Sequence, residues 1–377
     1  MNSRVRSLIA LALAATSLVS CGSPGPAEAP PLSEEALAAV SQDPGAPSKA
    51  LAREVDDLFS MQGLGETRAL IVMHDGKIAA ERYAEGYDKD TRFVSWSIAK
   101  TVTAIMIGQL VGDGLLQLDE PAPVPRWQRS GDPRADITLR HLLQMRSGLE
   151  HTEMEGPLYD TDLVRMLFLD GRDDMADYAT AQPPEAEPGE KFEYSSNTTV
   201  ILADIAARAL TNSEQPEARR RAVNDYLHAR LFDPLGAASF VPEFDRAGTL
   251  VGGSLIHANA RDWVKLGELL RRKGSYQGEQ IIPRSWVSEM VRPSPKSPEY
   301  GLQTWLNRPN GEDEHPLFPD RAPHSAFSMI GHMGQYVFVS PEQGLTIVRL
   351  GHSNREERIA MLQQLADIVE LYPAEGR

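Results

Sequence analysis

The chain has 377 residues, of which 41% are hydrophobic, and it carries a formal net charge of −15 at pH 7. This length supports one large hydrophobic core or two small ones. The negative charge argues against nucleic acid as a partner, because binding to phosphates requires basic patches.

The first twenty residues have the composition of a signal peptide rather than of a folded element. Arg4 and Arg6 give a positive start, and the apolar run from Leu8 to Val19 is too short to span a bilayer stably. We therefore exclude residues 1–20 from the predicted fold.

Cys21, which is the only cysteine, follows Leu18-Val19-Ser20 directly. This segment resembles a bacterial lipobox, and the resemblance implies that Cys21 is lipidated and becomes the mature N-terminus. A buried structural cysteine is the alternative, but such a residue belongs in a core and not at this junction. We expect a protein of the bacterial cell envelope that faces the periplasm and touches the membrane only through this lipid. Gly22, in place of an aspartate, points to the outer membrane by resemblance to enterobacterial sorting.

Residues 22–48 are rich in proline, alanine, serine and glycine and show little periodicity. This composition predicts that residues 21–48 form a flexible tether to a globular domain of residues 49–377. Helical spacing begins at residues 49–60.

Two predicted hairpins lie near the two ends of this domain. The first joins a strand at residues 70–73 to one at 78–83 through an Asp-Gly turn, and the second spans residues 336–348. A helix capped by Asn354 follows the second hairpin.

The region between the hairpins has a helical pattern from about residue 112 to 245. We therefore predict a mixed α/β fold in which an antiparallel sheet, flanked by helices, is built from both ends of the chain. Its sheet part would cover about residues 49–111 and 246–377, with the helical insertion between them.

The candidate nucleophile lies at the start of an apolar helix that runs to Leu110. Ser97 and Lys100 are three residues apart, so a helix places them side by side. Serine is a weak nucleophile until a neighbouring group takes its proton. A helix N-terminus also offers N–H groups to an acyl oxyanion. A Ser-x-x-Lys pattern arises by chance about once in a chain of this length, so its weight depends on the segments that follow.

Residues 150–190 carry twelve acidic residues against Arg165 and Arg172. Such a segment is either a solvated, mobile excursion or a lid beside the active site.

Two further segments carry candidate site residues. A tyrosine facing a lysine can accept a proton from a serine, so Tyr194 is a candidate base, although an ordinary packed tyrosine is the alternative. Glycines at the start of a strand allow a ligand to approach the backbone closely, as at Gly331. We expect His332 to contribute its backbone N–H to an oxyanion hole and not its imidazole to a catalytic triad, because no acidic residue that could orient the imidazole lies near it in sequence.

The ensemble of motifs resembles the β-lactamase-related serine hydrolases, a family that includes class C β-lactamases, D-alanyl-D-alanine carboxypeptidases, esterases and 6-aminohexanoate-dimer hydrolases. The match covers roughly residues 50–370. Four segments carry it: Ser97-Ile98-Ala99-Lys100, Ile137-Thr138-Leu139-Arg140-His141-Leu142-Leu143 with Ser147-Gly148-Leu149, Pro188-Gly189-Glu190-Lys191-Phe192-Glu193-Tyr194-Ser195, and Gly331-His332-Met333-Gly334-Gln335.

The resemblance implies a β-lactamase/transpeptidase-like fold with the site between its two parts. It implies Ser97 as the acyl-enzyme nucleophile, Lys100 as its proton partner and Tyr194 as the general base. We name Asn197, Gly331, His332 and Gln335 as candidate substrate-binding residues; they stand in or beside the matched segments.

Two departures from the family pattern affect these expectations. The second motif is often Tyr-x-Asn, whereas Asn197 stands three residues after Tyr194. The third motif of β-lactamases and peptidases contains a lysine that helps receive a carboxylate, and residues 324–331 contain none. This brings the chain closer to the esterase and aminohexanoate-hydrolase branch, and we expect substrates without a carboxylate to be preferred unless an arginine such as Arg321 supplies the charge.

The function expected from the sequence is an envelope-anchored serine hydrolase that cleaves a small ester or amide through a Ser97 acyl-enzyme, with no metal and no organic cofactor. Two alternatives remain open: a non-catalytic penicillin-binding-like scaffold or sensor, and a weak β-lactamase or D-Ala-D-Ala peptidase.

Overall fold

The centre of the molecule is an antiparallel sheet to which both ends of the chain contribute. A computed structural model describes residues 31–311 and 315–374. Its strands are β1 (Glu66–His74), β2 (Lys77–Tyr83), β3 (Arg92–Val94), β4 (Val241–Pro242), β5 (Ile256–Asn259), β6 (Ser275–Tyr276), β7 (Glu279–Gln280), β8 (Trp305–Leu306), β9 (Phe327–Gly331), β10 (Gln335–Ser340) and β11 (Leu345–His352). Six of them form the main sheet in the order β2-β1-β11-β10-β9-β8, and β3-β5-β4 form a smaller one.

Both predicted hairpins are present. Asp75 and Gly76 join β1 to β2 with positive φ angles of 48° and 79°, as a tight two-residue hairpin turn requires. The strands β10 and β11 form the second hairpin, and β11 pairs with β1 along its whole length. The expectation of one antiparallel sheet built from both ends is confirmed.

Helices cover both faces of the main sheet. They are α1 (Glu34–Ala39), α2 (Ser48–Ser60), α3 (Ala99–Gly112), α4 (Leu139–Leu143), α5 (Asp162–Phe168), α6 (Met175–Ala181), α7 (Ser196–Leu210), α8 (Pro216–Leu227), α9 (Ala260–Arg271), α10 (Arg284–Met290) and α11 (Arg355–Glu370). Successive residues of β1 point to opposite faces: Leu70 packs into a core with α2 and α11, and Ile71 into the larger core with α3 and α9.

Helices α3 and α7 pack against each other at the centre of the helical part, so α3 lies with the helices of the insertion although nearly all its residues precede 112. Helix α3 is apolar nearly all round, and all its residues from Ala99 to Leu110 are buried, as its sequence predicts. Helix α7 contacts α3, α4, α6 and α8. The segments that lead into α3 and α7 carry Ser97 and Tyr194, and they therefore meet beside the main sheet.

The prediction of a flexible tether over residues 21–48 is wrong from residue 33 onward. Ser33 caps α1, Val40 forms a β-bridge with Ala80, and the Tyr372 hydroxyl donates to the Pro44 carbonyl at 3.1 Å. Helix α1 has only six residues, which are too few to show a helical period in the sequence. The composition of the segment therefore predicted a linker.

Residues 1–30, with the predicted signal peptide, Cys21 and the start of the predicted tether, lie outside the described residues. Within the described part of the chain, no helix combines the length and apolar character needed to cross a membrane.

Candidate active site

Ser97 lies on a tight helical turn, Trp96–Ile98, that leads directly into α3. Trp96 has a φ of 47°, in the left-handed region that residues other than glycine adopt at a cost in energy. Ser95 holds the turn on β5, because its N–H donates to the Ile256 carbonyl at 2.9 Å and its hydroxyl accepts from the Ile256 N–H at 3.1 Å. The strained turn thus presents the half-buried Ser97 side chain at the edge of α3.

Lys100 is buried beneath Ser97, with 1% of its surface exposed. Its Nζ lies 3.1 Å from the Ser97 Oγ, 2.8 Å from the Ser196 Oγ and 2.8 Å from the Gly253 carbonyl. Burial lowers the pKa of Lys100 to about 8, against the opposing effect of the Glu153 carboxylate. The amine is therefore partly neutral near physiological pH and in contact with the serine.

Glu153 completes this cluster from the excursion before α5. One carboxylate oxygen accepts from the Ser196 hydroxyl at 2.6 Å, and the other accepts from the Ser196 N–H at 2.7 Å and lies 2.6 Å from the His151 Nε2. Its nearest oxygen is 4.0 Å from the Lys100 Nζ. Burial raises the pKa of Glu153, but the charge of Lys100 and the hydrogen bonds from His151 and Ser196 outweigh it and leave a pKa of about 2. Glu153 is therefore an anion at neutral pH.

Tyr194 stands over the same cluster, next to the start of α7. Its hydroxyl interacts with the Ser97 side chain, and its ring centroid lies 4.9 Å from the Lys100 Nζ. The Tyr300 and Trp305 rings pack against it at centroid distances of 5.9 and 5.3 Å. Burial and the Glu153 charge raise the pKa of Tyr194, so the phenol holds its proton at neutral pH.

The end of β9 lines the cleft beside the nucleophile turn. A Cβ at Gly331 would lie 2.3 Å from the Ser95 carbonyl oxygen, so only glycine lets β9 pass this close to the nucleophile turn. His332 also lines the cleft, and its ring is nearly perpendicular to that of Trp96, with 5.6 Å between the ring centroids.

Gln335 does not line the cleft. Its side-chain amide donates to the carbonyls of His332, Met333 and Gly351 and accepts from the Gly351 N–H. We named Gln335 as a candidate substrate-binding residue, and the structure places its side chain in the turn between β9 and β10, which it holds, and not in the lining of the cleft.

The structure also separates Asn197 from the cleft. Its side chain is buried, and neither amide atom has a hydrogen-bond partner among the described residues. Ser196, and not Asn197, lies beside Lys100 and lines the cleft. The motif is thus Tyr-x-Ser, and the signal for it was present in the sequence, since Ser196 stands two residues after Tyr194.

Glu153 and His151 were not predicted from the sequence. Glu153 is one of the twelve acidic residues of the excursion, and neither spacing nor periodicity distinguishes it there from the other eleven. Two cationic residues that line the cleft, Arg355 and Arg358 on α11, were also missed.

The cleft encloses about 1180 Å³ between the main sheet and the helical part. Residues 153–169 of the excursion form one wall, which supports the interpretation that this segment borders the site. Arg321 lies outside the cleft and pairs with Asp367 and Glu370. Over residues 31–311 and 315–374, no three His, Cys, Asp or Glu side chains are grouped as metal ligands would be.

The comparison with protein-family models matches residues 61–370 to the family described as Beta-lactamase. The chain belongs to the β-lactamase family. The match covers most of the 377 residues, and it confirms the resemblance seen in the four sequence motifs.

Two relatives that the chain matches bear the names of hydrolytic enzymes. The 6-aminohexanoate-dimer hydrolase of Paenarthrobacter ureafaciens is 24% identical over 83% of this chain and 81% of its own length. Esterase EstB of Burkholderia gladioli is 33% identical over 45% of this chain and 49% of its own length. A penicillin-binding protein homologue from Caulobacter crescentus shares the fold, with a TM-score of 0.60 and 16% identity over 87% of this chain and 98% of that one. This β-lactamase family protein is thus a serine hydrolase of the esterase and amidase type with a β-lactamase/transpeptidase-like fold.

Proposed function

We propose that the protein hydrolyses small-molecule esters or amides through an acyl-enzyme formed on Ser97. The observation that carries the proposal is the contact between a buried Lys100, whose pKa is lowered to about 8, and the Ser97 hydroxyl at 3.1 Å. A nucleophile within hydrogen-bonding distance of an amine that is partly neutral at working pH is the arrangement that nucleophilic catalysis needs.

The hydrogen bonds around Lys100 orient its lone pair. The Gly253 carbonyl only accepts, and the Ser196 hydroxyl gives its own proton to Glu153, so each of them takes one N–H from Lys100. A neutral amine has two N–H bonds, and both are then used. Its lone pair therefore faces Ser97, which supports Lys100 as the base that takes the Ser97 proton.

Tyr194 fits the role of proton donor better than that of base. Because its pKa is raised, the phenol keeps its proton, whereas the amine of Lys100 loses its own more readily. In the proposed reaction the Ser97 Oγ attacks the carbonyl carbon and its proton moves to Lys100. Tyr194 protonates the leaving oxygen or nitrogen and regains a proton from Lys100 as the acyl-enzyme forms. Water then attacks the acyl-enzyme, loses a proton to the same cluster and releases Ser97 and the acid. This assignment reverses the roles that the family resemblance implies.

The negative charge of the tetrahedral intermediate falls at the N-terminal end of α3. Backbone N–H groups at the first turn of a helix have no partner within the helix, and they favour an anion there. The backbone at the end of β9 lies beside the same turn, as the close approach of Gly331 to Ser95 requires. We therefore assign the oxyanion site to the Ser97 N–H and an N–H near His332.

A fluorophosphonate probe, together with a panel of p-nitrophenyl esters, linear amides, β-lactams and D-Ala-D-Ala peptides, tests the proposal. We expect one labelled serine and hydrolysis of at least one ester or amide, both lost in Ser97→Ala. A wild-type protein that takes no label and hydrolyses nothing would instead support a non-catalytic penicillin-binding-like scaffold. Turnover of only the β-lactam or the D-Ala-D-Ala peptide would support the lactamase or peptidase alternative.

We also propose that the enzyme is anchored at the periplasmic face of the outer membrane by a lipid on Cys21. The support is the sequence of residues 1–21 alone. Metabolic labelling with a fatty-acid analogue is expected to mark the wild type and not Cys21→Ser. Persistent labelling of the variant would refute the anchor, and cofractionation with the inner membrane would refute the sorting.

A further inference from the structure

We propose that the cleft of this enzyme recognises an apolar acyl chain, and that residues 154–169 form the surface that binds it. This inference rests on the proposed esterase or amidase function and names the class of substrate. We call the surface the apolar wall; its members that line the cleft are Met154, Leu158, Tyr159, Leu163, Val164, Leu167, Phe168 and Leu169.

The distribution of exposed apolar side chains singles out this wall. Ten large hydrophobic residues of the described chain are exposed, and five of them lie between Met154 and Leu169. All five line the cleft that contains Ser97, and none of the other five does. Exposed apolar side chains are ordinary when scattered, but a contiguous group beside a reactive serine marks a binding surface.

Most acidic side chains of residues 150–190 lie outside the cleft. Of the twelve acidic residues in 150–190, only Glu153 and Glu155 line the cleft. Others are held by partners within the helical part, as Asp170 is by Arg165 and Asp177 by Arg126. Although residues 150–190 are rich in acidic residues, the side of this excursion that lines the cleft is thus mainly apolar.

The ligand that we assign to the apolar wall is the acyl chain of the substrate, and not a membrane or a second protein. The wall is one side of the cavity that holds the nucleophile, and the cavity of about 1180 Å³ is larger than a short acyl group requires. Met166 of helix α5 is buried and does not line the cleft, so it anchors the helix that carries this wall in the core of the helical part. A chain lying on this wall removes apolar area of both partners from water.

Kinetics on p-nitrophenyl acetate, butyrate, hexanoate and octanoate, each below its micelle concentration, provide the test. A fully buried methylene favours binding by about fourfold. Because the wall stays partly exposed, we expect kcat/KM to rise about twofold per methylene, or roughly sixtyfold over the six methylenes from acetate to octanoate.

Leu158→Ser and Leu115→Ser form a matched pair of variants. Both leucines are 53% exposed, but only Leu158 lines the cleft. We expect Leu158→Ser to lower the preference for octanoate over acetate by about threefold or more, and Leu115→Ser to leave it unchanged. Phe168→Ser should act like Leu158→Ser.

A flat chain-length profile, or equal effects of the two leucine variants, would overturn the inference while leaving Ser97-dependent ester hydrolysis intact. So would a Leu158→Ser variant that keeps its profile but loses binding to phospholipid vesicles, since the wall would then face a membrane. If no ester is hydrolysed, the proposed function fails separately, and calorimetry with Ser97→Ala decides the inference. In that case octanamide must bind more tightly than acetamide.

Discussion

The Ser196 hydroxyl accepts a hydrogen bond from the Lys100 Nζ at 2.8 Å and donates one to Glu153 at 2.6 Å. A hydroxyl has a single proton, so the bond to Glu153 determines that Ser196 only accepts from Lys100. Ser196 and the Gly253 carbonyl thereby accept the two N–H bonds of the neutral Lys100 amine, and its lone pair is left to face Ser97.

Ser196→Ala should therefore lower kcat without unfolding the protein. We expect a loss of about tenfold or more, because one N–H of Lys100 loses its buried acceptor and the lone pair loses its orientation. Ser195→Ala is the matched control. The Ser195 hydroxyl caps α7 by accepting from the Thr198 N–H at 3.1 Å, so its loss should cost about 1 kcal/mol of stability and little activity. Ester kinetics and denaturant unfolding of both variants check this, and the reverse pattern would contradict it.

The pH dependence of the reaction should report the neutral form of Lys100. We expect kcat/KM to rise with pH with a midpoint near 8, because the lysine accepts the Ser97 proton only after losing its own. In Glu153→Gln the nearby negative charge that favours the ammonium is gone, so the midpoint should move to lower pH by about one unit or more.

Glu155→Gln is the control for this pH shift, because Glu155 lines the cleft without contacting Lys100 in the described structure. Its midpoint should stay near that of the wild type. A Glu153→Gln midpoint that stays in place or rises would show that Lys100 is not the titrating base.

Tyr194→Phe distinguishes a proton donor from a base. If Tyr194 protonates the leaving group, its loss should matter far more for an alkyl amide, whose amine must be protonated, than for a p-nitrophenyl ester. We expect about a hundredfold larger loss of kcat/KM for the amide, within the range of general acid catalysis. Equal losses on the two substrates would favour Tyr194 as the base for Ser97.

Gly331→Ala should misplace the oxyanion site. The added Cβ would lie 2.3 Å from the Ser95 carbonyl, so β9 and the nucleophile turn must move apart. We expect kcat to fall about a hundredfold, since small displacements of reacting groups have effects of this size. Thermal unfolding is the control: a variant that loses stability and activity in proportion would point to a packing role alone.

Arg358 should affect substrates that carry a carboxylate. It lies on the cleft wall formed by α11, whereas Arg321 is held outside the cleft by Asp367 and Glu370. We expect Arg358→Gln to lower kcat/KM for a chromogenic cephalosporin by about threefold to tenfold and to leave a neutral ester nearly unchanged. Arg321→Gln removes the same charge elsewhere and should change neither. A matching loss in Arg321→Gln would mean that the effect is one of net charge.

Most of the fold was predictable because its signals are local. A few consecutive residues are enough to recognise the Asp75-Gly76 turn, the apolar α3 and the Asn354 cap. The structure contains all three. The six-residue α1 gave no such signal, so it was assigned to the tether.

The site was predictable where it follows a motif and not where it depends on tertiary contact. Ser97 and Lys100 are one helical turn apart, so their proximity follows from spacing alone. Glu153 reaches Lys100 only because the excursion folds back across the start of α7, a contact between residues 53 positions apart. No pattern in either segment encodes that approach, and the same holds for the arginines of α11.

The pairing of β1 with β11 has a consequence for when the enzyme becomes active. Glu66 and His352 are partners in the sheet although they are 286 positions apart in the sequence. Contacts of such long range form late in folding, because a large loop must close before they stabilise anything. During synthesis β1 leaves the ribosome long before its neighbour in the sheet exists. Strand β9, which borders the nucleophile turn, belongs to that same late segment. An incomplete chain therefore lacks a finished active site, and the proposed hydrolysis requires the C-terminal strands to have joined the sheet.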